Sequence, residues 1–565
     1  MRAFNRLSVA MVLAGIFAGA AAAQDPTVSR AQTGNATGNA VTTVDQAIDR
    51  VIAREHDQIA VIRRYNPLIE TYVQDMKPDA EMGIVPVKDH YFLGQAQLSK
   101  GVTDDSMLDK KKKSKASAFN PFAHLEGSGS YVPEGFLQMV YIDPNSFDRE
   151  HYEFAYVGRE FLGDVRCVAF DVRPLPKSGK NRFNGRIWAE DQGFAIVRFN
   201  GMFESGEEGS GFNLHFDSWR LNLQPDLWLP AFVYSQESEF RNTTGSPIRF
   251  KAQTRLWGYN LASLNGAADF NQSALAGSAS LDSAGAAQDH SPVEAERNWQ
   301  QRAEVNVVDR LQRIGLLAPS GEVDKILETV VNNLEVTNNL DIDVHCRVML
   351  TSTLESFSIG HTIVMSRGLI DVLPDEASLA TALAQELAAI MITKPSTDQW
   401  GFNDTTNVTA GEALSRFSFK ATPAEADMAN KKAAELLKNS PYKDKLGNAA
   451  LFLKQLSAES AALPALIDAR LGNGVALSSA LSSMGPALDA NKLDQVAALP
   501  LGARVKVNPW DDRVELLKAK PVALSSAREK MPFEVTPFMP FLTRYHASKP
   551  AEKPDAAAQA NASHR

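Results

Sequence analysis

The sequence predicts an α+β protein in which an antiparallel β-rich domain precedes a mostly helical domain. From about Phe136 to Asn260, short segments rich in aromatic and β-branched residues alternate with turn signals, a pattern typical of a curved antiparallel sheet. Residues 261–298 are rich in Ala, Ser, Gly and Asn, which is the composition of a linker. The following segment is helix-rich, so the linker marks the boundary between two domains.

The N-terminal residues have the pattern of a secretory signal. Arg2 and Arg6 form a positive region, residues 7–17 form a short apolar core, and the alanines at 21–23 offer a cleavage site. We therefore expect a periplasmic or secreted protein, with no transmembrane segment in the mature chain. The predicted organisation is a signal peptide (1–23), a flexible leader (24–44), a β-rich domain with an N-terminal helix (45–260), a linker (261–298), a helical domain (299–475), a C-terminal extension (476–547) and a disordered tail (548–565).

Local patterns predict individual elements within these segments. A helix is expected at residues 45–64, where charged residues alternate around roughly periodic apolar positions, and residues 66–73 could continue it. Residues 503–520 (ARVKVNPWDDRVELLKAK) predict one strand in the C-terminal extension. The basic run at 110–115 (KKKKSK) indicates an exposed loop, with contact to an anionic lipid or polyanion as the alternative.

Charge and cysteine content exclude several classes of protein. A net charge of -9 over 565 residues argues against a nucleic-acid surface. The two cysteines, Cys167 and Cys346, provide neither a disulfide framework nor a cysteine metal site. Two buried thiols are expected, and one bridge between them is the alternative.

Large aromatic rings recur along the predicted strands. They suit a packed core, and the alternative is a sheltered site for a hydrophobic ligand. Residues 183–201 (FNGRIWAEDQGFAIVRFNG) resemble the strand-turn-strand core of LolA-like lipoprotein carriers. This resemblance implies a half-barrel and a hydrophobic or acylated ligand. The rings are Trp188, Phe194, Phe199, Phe212, Phe216, Trp219, Trp228, Phe232 and Trp257.

Residues 377–391 (ASLATALAQELAAIM) have the frame of a zinc-protease helix that lacks its metal ligands. In an H-E-x-x-H helix the two histidines lie four residues apart, so both bind one Zn²⁺ from the same face while the Glu acts as base. Here Gln385 and Ala389 occupy the histidine positions. Glu386 is therefore predicted to be a vestigial general base.

Three blocks around this helix resemble the Peptidase M48 family of zinc metallopeptidases, which includes CAAX prenyl proteases and HtpX. The blocks are a helical segment at 323–334, a strand at 341–350 and residues 357–391. The family's third zinc ligand is a Glu four residues before an Asp, and this chain has Pro423 four residues before Asp427. The resemblance thus implies a metallopeptidase-like domain without zinc ligands, because alanine and proline side chains cannot bind metal and an amide does so poorly.

Three hypotheses of function follow. The first is a non-catalytic envelope protein without a cofactor, which binds a peptide or protein in quality control, with Thr362–Ser366 as an exposed edge strand for the partner. The second is an active metalloendopeptidase whose atypical zinc site uses His345 or His361 with Glu386. The third is a lipid or lipoprotein carrier whose β-rich domain binds the ligand, with contacts from rings such as Trp188 and Trp219.

Overall fold

The computed structural model describes residues 43–79, 83–102, 133–204, 214–237, 249–259, 304–392, 419–474, 505–507, 514–516 and 534–545. The described parts of both halves belong to one compact unit. Outside these residues lie the predicted signal peptide and linker, the basic run at 110–115, the tail from 548, Phe212 and nearly all of the leader.

Ten antiparallel strands form one continuous sheet, which confirms the predicted β-rich half. The strand order is β3-β2-β1-β10-β9-β8-β7-β6-β5-β4, so the N-terminal strands join the later meander where β1 pairs with β10. The strands are β1 (Leu68–Asp79), β2 (Gly83–Gln97), β3 (Gly101–Val102), β4 (Tyr152–Leu162), β5 (Val165–Pro174), β6 (Arg182–Glu190), β7 (Ile196–Glu204), β8 (Leu214–Gln224), β9 (Leu227–Glu237) and β10 (Arg249–Trp257).

Residues 66–73 do not continue the first helix, and most of them begin β1. The helix itself, α1 (Val44–Ile62), is confirmed and ends before Pro67. Tyr72 of β1 pairs with Tyr91 on one side and Gln253 on the other. Because hydrogen bonds to both neighbouring strands stabilise the extended backbone, this tertiary pairing overrides the weak helical pattern.

One face of the sheet, which we call the helix face, is covered by α1 and α2 (Pro133–Gln138). Glu55 of α1 makes two hydrogen bonds to the guanidinium of Arg220, at 2.6 and 2.7 Å, and both side chains are fully buried. On α2, Phe136 packs edge-on against Phe250 of β10, with ring centroids 6.4 Å apart. The opposite side of the sheet, which we call the C-terminal face, contacts the second half of the chain.

The described part of the C-terminal half contains mainly helices, as the sequence predicts, together with a small sheet, and its metallopeptidase-like character stays a prediction. A four-stranded sheet of order β11-β13-β12-β14 packs against its helices. The elements are α3 (residues 304–313), α4 (Glu322–Thr337), β11 (His345–Met349), β12 (Glu355–Ile359), β13 (Thr362–Ser366), α5 (Arg367–Val372), α6 (Glu376–Ile392), α7 (Pro423–Lys438), α8 (Leu446–Glu459), α9 (Pro464–Ile467) and β14 (Asn473–Gly474).

The strand β13, expected to be an exposed edge, is an inner strand. It pairs in parallel with β11 and antiparallel with β12, so both of its backbone edges are used. The prediction was wrong because the sequence does not reveal β12, the strand that covers this edge. That strand is only five residues long, and its apolar residues show no clear period. A peptide therefore has no free edge on β13 to pair with.

Two buried carboxylates of the large sheet hold backbone N–H groups of the C-terminal half. Glu70 accepts hydrogen bonds from the N–H and Oγ of Ser352, at 2.6 and 2.8 Å. Asp89 accepts from the N–H groups of Ala465 and Leu466, each at 2.8 Å. The two halves are thus in direct contact.

Other predictions concern the thiols and the C-terminal extension. Cys167 and Cys346 are free and buried, as expected, and burial raises the pKa of both thiols. Residues 503–520 contain two short paired strands in place of one, β15 (Val505–Val507) and β16 (Val514–Leu516). Within the described residues, no helix has the length and apolar character needed to cross a membrane.

Candidate functional site

The helix α6 contains the residues that the sequence compares with a zinc-protease frame, and its polar side chains bind other parts of the protein. Gln385 Nε2 donates to Asn430 Oδ1 of α7 at 2.7 Å. Pro423 lies at the exposed start of α7, seven residues before Asn430 and so about 10 Å away along the helix axis. Ala389 is partly exposed. The described contacts do not bring together the three residues that the sequence comparison places at zinc-ligand positions.

Glu386 is buried between α6 and the smaller sheet. Its Oε1 accepts a hydrogen bond from Ser356 Oγ of β12 at 2.7 Å, and 2 % of the residue is exposed. Burial raises the pKa of this carboxyl from 4.5 to about 7, while hydrogen bonds from Ser356 and Asn473 oppose part of the rise. A base must reach the proton that it removes, and none of the described cavities is lined by Glu386.

His345 and His361 are exposed neighbours at one end of the smaller sheet. The His345 N–H donates to the His361 carbonyl at 3.0 Å, which is ordinary backbone pairing. The His345 imidazole lies 3.9 Å from Glu328 and 4.0 Å from Asp343. Among the described residues, no three His, Cys, Asp or Glu side chains form a group that could hold a metal. The atypical zinc site therefore stays a prediction without a described ligand set.

A cavity of about 1060 Å³ opens beside these two histidines. Its lining includes six carboxylates, against Lys325 and Arg347 as the basic residues. Such a lining repels anions, so its electrostatics do not suit a ligand with an anionic head. The carboxylates belong to Glu304, Asp309, Glu322, Asp324, Glu328 and Asp343.

Trp188 and Trp219, expected as ligand contacts under the carrier hypothesis, enclose a buried arginine. The Arg198 guanidinium lies 4.4 Å from one ring centroid and 4.5 Å from the other. It also makes two hydrogen bonds to Asp217, at 2.8 and 3.1 Å. All four side chains are buried on the C-terminal face, so the core interpretation is confirmed for these two rings.

A second cavity, of about 410 Å³, opens on the helix face of the large sheet. It lies between the segment that follows α2 and the paired ends of β6 and β7, and we call it the Phe203 cavity. Its volume is within the usual range for a small-ligand site. The lining residues are Gln138, Tyr141, Ile142, Asp143, Pro144, Asn145, Ser146, Lys180, Asn181, Arg182 and Phe203.

A cluster of phenylalanines continues from this cavity into the sheet. The partly exposed Phe203 ring lies 4.9 Å from the Phe216 ring and 6.4 Å from the Phe183 ring. Phe199 packs edge-on against both inner rings, at 5.9 Å from each. Side chains alternate between the two faces of a strand, and residues paired across neighbouring strands share a face. The pairing of β6 with β7 and of β7 with β8 therefore places all four rings on the helix face. Phe203 is the ring of this cluster that lines the cavity, and it forms an aromatic floor that the three buried rings support from behind.

The mouth of the Phe203 cavity is polar and internally paired. Asp143 forms an ion pair with Arg182 and accepts a hydrogen bond from the Tyr152 hydroxyl at 2.8 Å. Burial acts to raise the pKa of Asp143, but these bonds and those from the Asn145 and Ser146 N–H groups hold it below its usual value. The carboxylate is thus charged at neutral pH and balances its arginine.

Sequence reasoning missed the Phe203 cavity, although two of its features were visible. The alternation of Phe199, Gly201 and Phe203 predicts that these residues share one face of a strand. Lys180 and Arg182 at the start of the next strand indicate a basic rim. The segment at 138–146 that forms the opposite wall has no periodic signal, so the sequence does not bring it to this face.

Comparisons with known proteins show limited similarity. No family model and no curated protein match the sequence. A DUF1329 family protein from Desulfovibrio piger aligns at a TM-score of 0.20 with 9% identity, covering 39% of this chain and 93% of its own. A putative outer membrane lipoprotein-sorting protein domain from Vibrio parahaemolyticus aligns at 0.19 with 12% identity, covering 40% of this chain and 99% of its own.

One of these neighbours is described as a lipoprotein-sorting domain, and the LolA-like resemblance of the β-rich half stays a prediction. The zinc-peptidase resemblance gains no support, since no family model matches. At TM-scores below 0.5, the neighbours carry no argument about the ligand or activity of this chain.

Proposed function

We propose that this chain is a non-catalytic binding protein that holds a hydrophobic, acyl-type ligand in its β-rich half. The single observation that carries the proposal is the Phe203 cavity, which combines an aromatic floor with a polar mouth. An apolar chain would lie against Phe203 and the wall residue Ile142, and removing it from water supplies the main driving force. Polar atoms at the mouth would orient the head of the ligand.

The charge of the mouth suits an amphipathic ligand better than a purely apolar one. Lys180 is exposed at the rim, and Arg182 is already balanced by Asp143. A weakly acidic or zwitterionic head would therefore meet a near-neutral mouth with several hydrogen-bonding groups. The larger, carboxylate-lined cavity has the opposite character and is not proposed as the lipid site.

The C-terminal half has no catalytic part in this proposal. Supporting observations are the burial of Glu386 and the hydrogen bond that ties Gln385 to Asn430. We also propose that the protein works in the bacterial envelope, on the basis of the signal-like residues 1–23. N-terminal sequencing of the exported protein would test that location, and cleavage after Ala23 is expected.

Titration of the full chain with dansyl-undecanoic acid, an acyl probe, tests the ligand site. Lipid that co-purifies is first removed on a hydrophobic resin. Gln138 is exposed at the cavity mouth, so Gln138→Trp should fill the entrance without changing the core. We expect at least tenfold weaker binding, equivalent to about 1.4 kcal/mol, and a similar loss for Phe203→Asp.

Phe161→Asp is the matched control for Phe203→Asp. Phe161 is 69 % exposed on β4 and does not line the cavity, so its substitution should leave probe binding unchanged. Thermal melts identify any variant that fails to fold. The proposal is wrong if the folded wild-type protein does not bind the probe, or if Gln138→Trp binds it as tightly as wild type.

A further inference from the structure

Residues 534–545, which we call the strap, cross the C-terminal face of the large sheet as an extended segment. The Val535 N–H donates to Gln74 Oε1 of β1 at 2.7 Å. At the other end, the Asp164 N–H in the turn between β4 and β5 donates to the Leu542 carbonyl at 2.8 Å. The strap therefore spans from the middle of the sheet to the β4 edge.

Each end of the strap has one buried apolar residue and one ion pair. Val535 and Leu542 are 6 % and 0 % exposed. Glu534 pairs with Lys251 of β10, and Arg544 pairs with Glu190 at the end of β6 at 2.7 Å. The sheet thus recognises an extended segment by an acidic residue and an arginine ten positions apart, with an apolar residue close to each.

Close backbone packing at one position makes this recognition specific. Gly163 has a φ of +66°, and a Cβ placed there would lie 2.5 Å from both the N and the O of Leu542. Any larger residue at position 163 would be strained and would also push the strap away. The groove that receives Leu542 therefore depends on glycine.

The strap carries several large apolar side chains that are partly exposed, of which Phe538 also packs edge-on against Phe232 of β9, with ring centroids 5.3 Å apart. Phe538, Met539 and Phe541 are 57 %, 39 % and 70 % exposed, and Phe161, two residues before Gly163, is 69 % exposed. Exposed apolar surface concentrated in this way commonly marks an interaction site. Residues 475–533 connect the strap to β14, and a segment of that length can span well over 100 Å at about 3.3 Å per residue.

We propose that the strap groove also accepts the strap of a second copy of this chain, so that two molecules exchange their C-terminal segments. The contacts made in the second molecule are those of the first, and the exchange brings two sets of outward aromatic residues near each other. Docking of a strap in its own chain competes with exchange, so exchange is favoured by high protein concentration.

Complementation between two full-length variants tests the exchange. Gly163→Val blocks the groove and leaves a free strap, whereas the double change Leu542→Asp with Arg544→Glu disables the strap and leaves an open groove. Each variant alone should be monomeric by native mass spectrometry. A 1:1 mixture should form a heterodimer, because it contains one usable groove and one usable strap.

The two unmixed variants are the matched controls, and thermal melts verify that both fold. A mixture of folded variants that stays monomeric overturns the proposal. If either variant fails to fold, isotopically labelled and unlabelled wild-type chains are incubated together at high concentration. Exchange predicts dimers of mixed mass, and excess synthetic peptide of residues 534–545 should reduce them at least tenfold. The absence of such dimers, or dimers that the peptide does not affect, would contradict the proposal.

Discussion

At the residue scale, Glu386 and Gln385 of α6 make hydrogen bonds within the protein core. Ser356 donates to the Glu386 carboxyl, and Asn430 accepts from the Gln385 amide. The Gln385 amide and Glu386 Oε1 thus have partners within the protein, whereas Glu386 Oε2 is buried without a hydrogen-bond partner among the described residues. The side chains stabilise the contacts of α6 with its neighbours and present no open coordination position.

Glu386→Gln should stabilise the protein at alkaline pH and have little effect at acidic pH. The pKa of Glu386 is about 7 in the folded state and 4.5 in the unfolded chain, so the folded state binds more protons between these values. Wild-type stability therefore falls as pH rises from 4.5 through 7, by roughly 3 kcal/mol for a shift of this size. The substitution removes that loss, and urea unfolding at pH 4.5 and pH 8 measures it.

The exposed Glu435 of α7 provides the control for this experiment. Glu435→Gln should change the free energy of unfolding little at either pH, because its side chain is 66 % exposed. An equal effect of Glu386→Gln at both pH values would contradict the burial argument.

Sequence reasoning at this scale identified residue types well and their surroundings poorly. The loss of both histidines is visible in the letters of residues 377–391. That Gln385 bonds to Asn430, or that Trp188 and Trp219 stack on Arg198, depends on pairing between distant strands and helices. Such contacts leave no local periodic signal.

At the scale of elements, α1 is joined to the large sheet by one buried ion pair in addition to apolar packing. Glu55 and Arg220 are fully buried, so each charge depends on the other for its compensation. Removing one partner leaves an uncompensated charge in a low-dielectric environment. The Phe203 cavity lies on the same face, so a firmly held α1 helps to keep that face organised.

Glu55→Ala should lower the free energy of unfolding by roughly 3 to 5 kcal/mol. Asp57→Ala, an exposed change two residues away on the same helix, should cost less than about 0.5 kcal/mol. Chemical denaturation of the two variants compares these effects directly. Equal midpoints for Glu55→Ala and Asp57→Ala would show that the ion pair does not hold the helix.

Elements with a local pattern were predictable, and those that depend on distant partners were not. The first helix and the aromatic strands from β5 to β10 follow the periods expected from their sequence. Residues 66–73 could continue the first helix by their pattern alone, and most of them instead begin β1, which pairs with both β2 and β10. The strap lacks any period, since separate contacts with distant strands hold it to the sheet.

At the scale of the whole molecule, the two halves and the strap form one connected structure around the large sheet. The helix face contacts α1 and α2, whereas the C-terminal face contacts the second half through Glu70 and Asp89. The linker composition at residues 261–298 predicts a boundary between two halves, and composition carries no information about contacts across that boundary. The Phe203 cavity, on the helix face, is formed by residues of the β-rich half.

Native mass spectrometry of the full mature protein, purified without chelator and supplied with zinc, tests the central claim most directly. The account predicts an added mass in the range of one acyl-type molecule, which organic solvent releases and which Gln138→Trp reduces. A lipid-free mass with one bound zinc, together with peptide hydrolysis that Glu386→Gln abolishes, would contradict it.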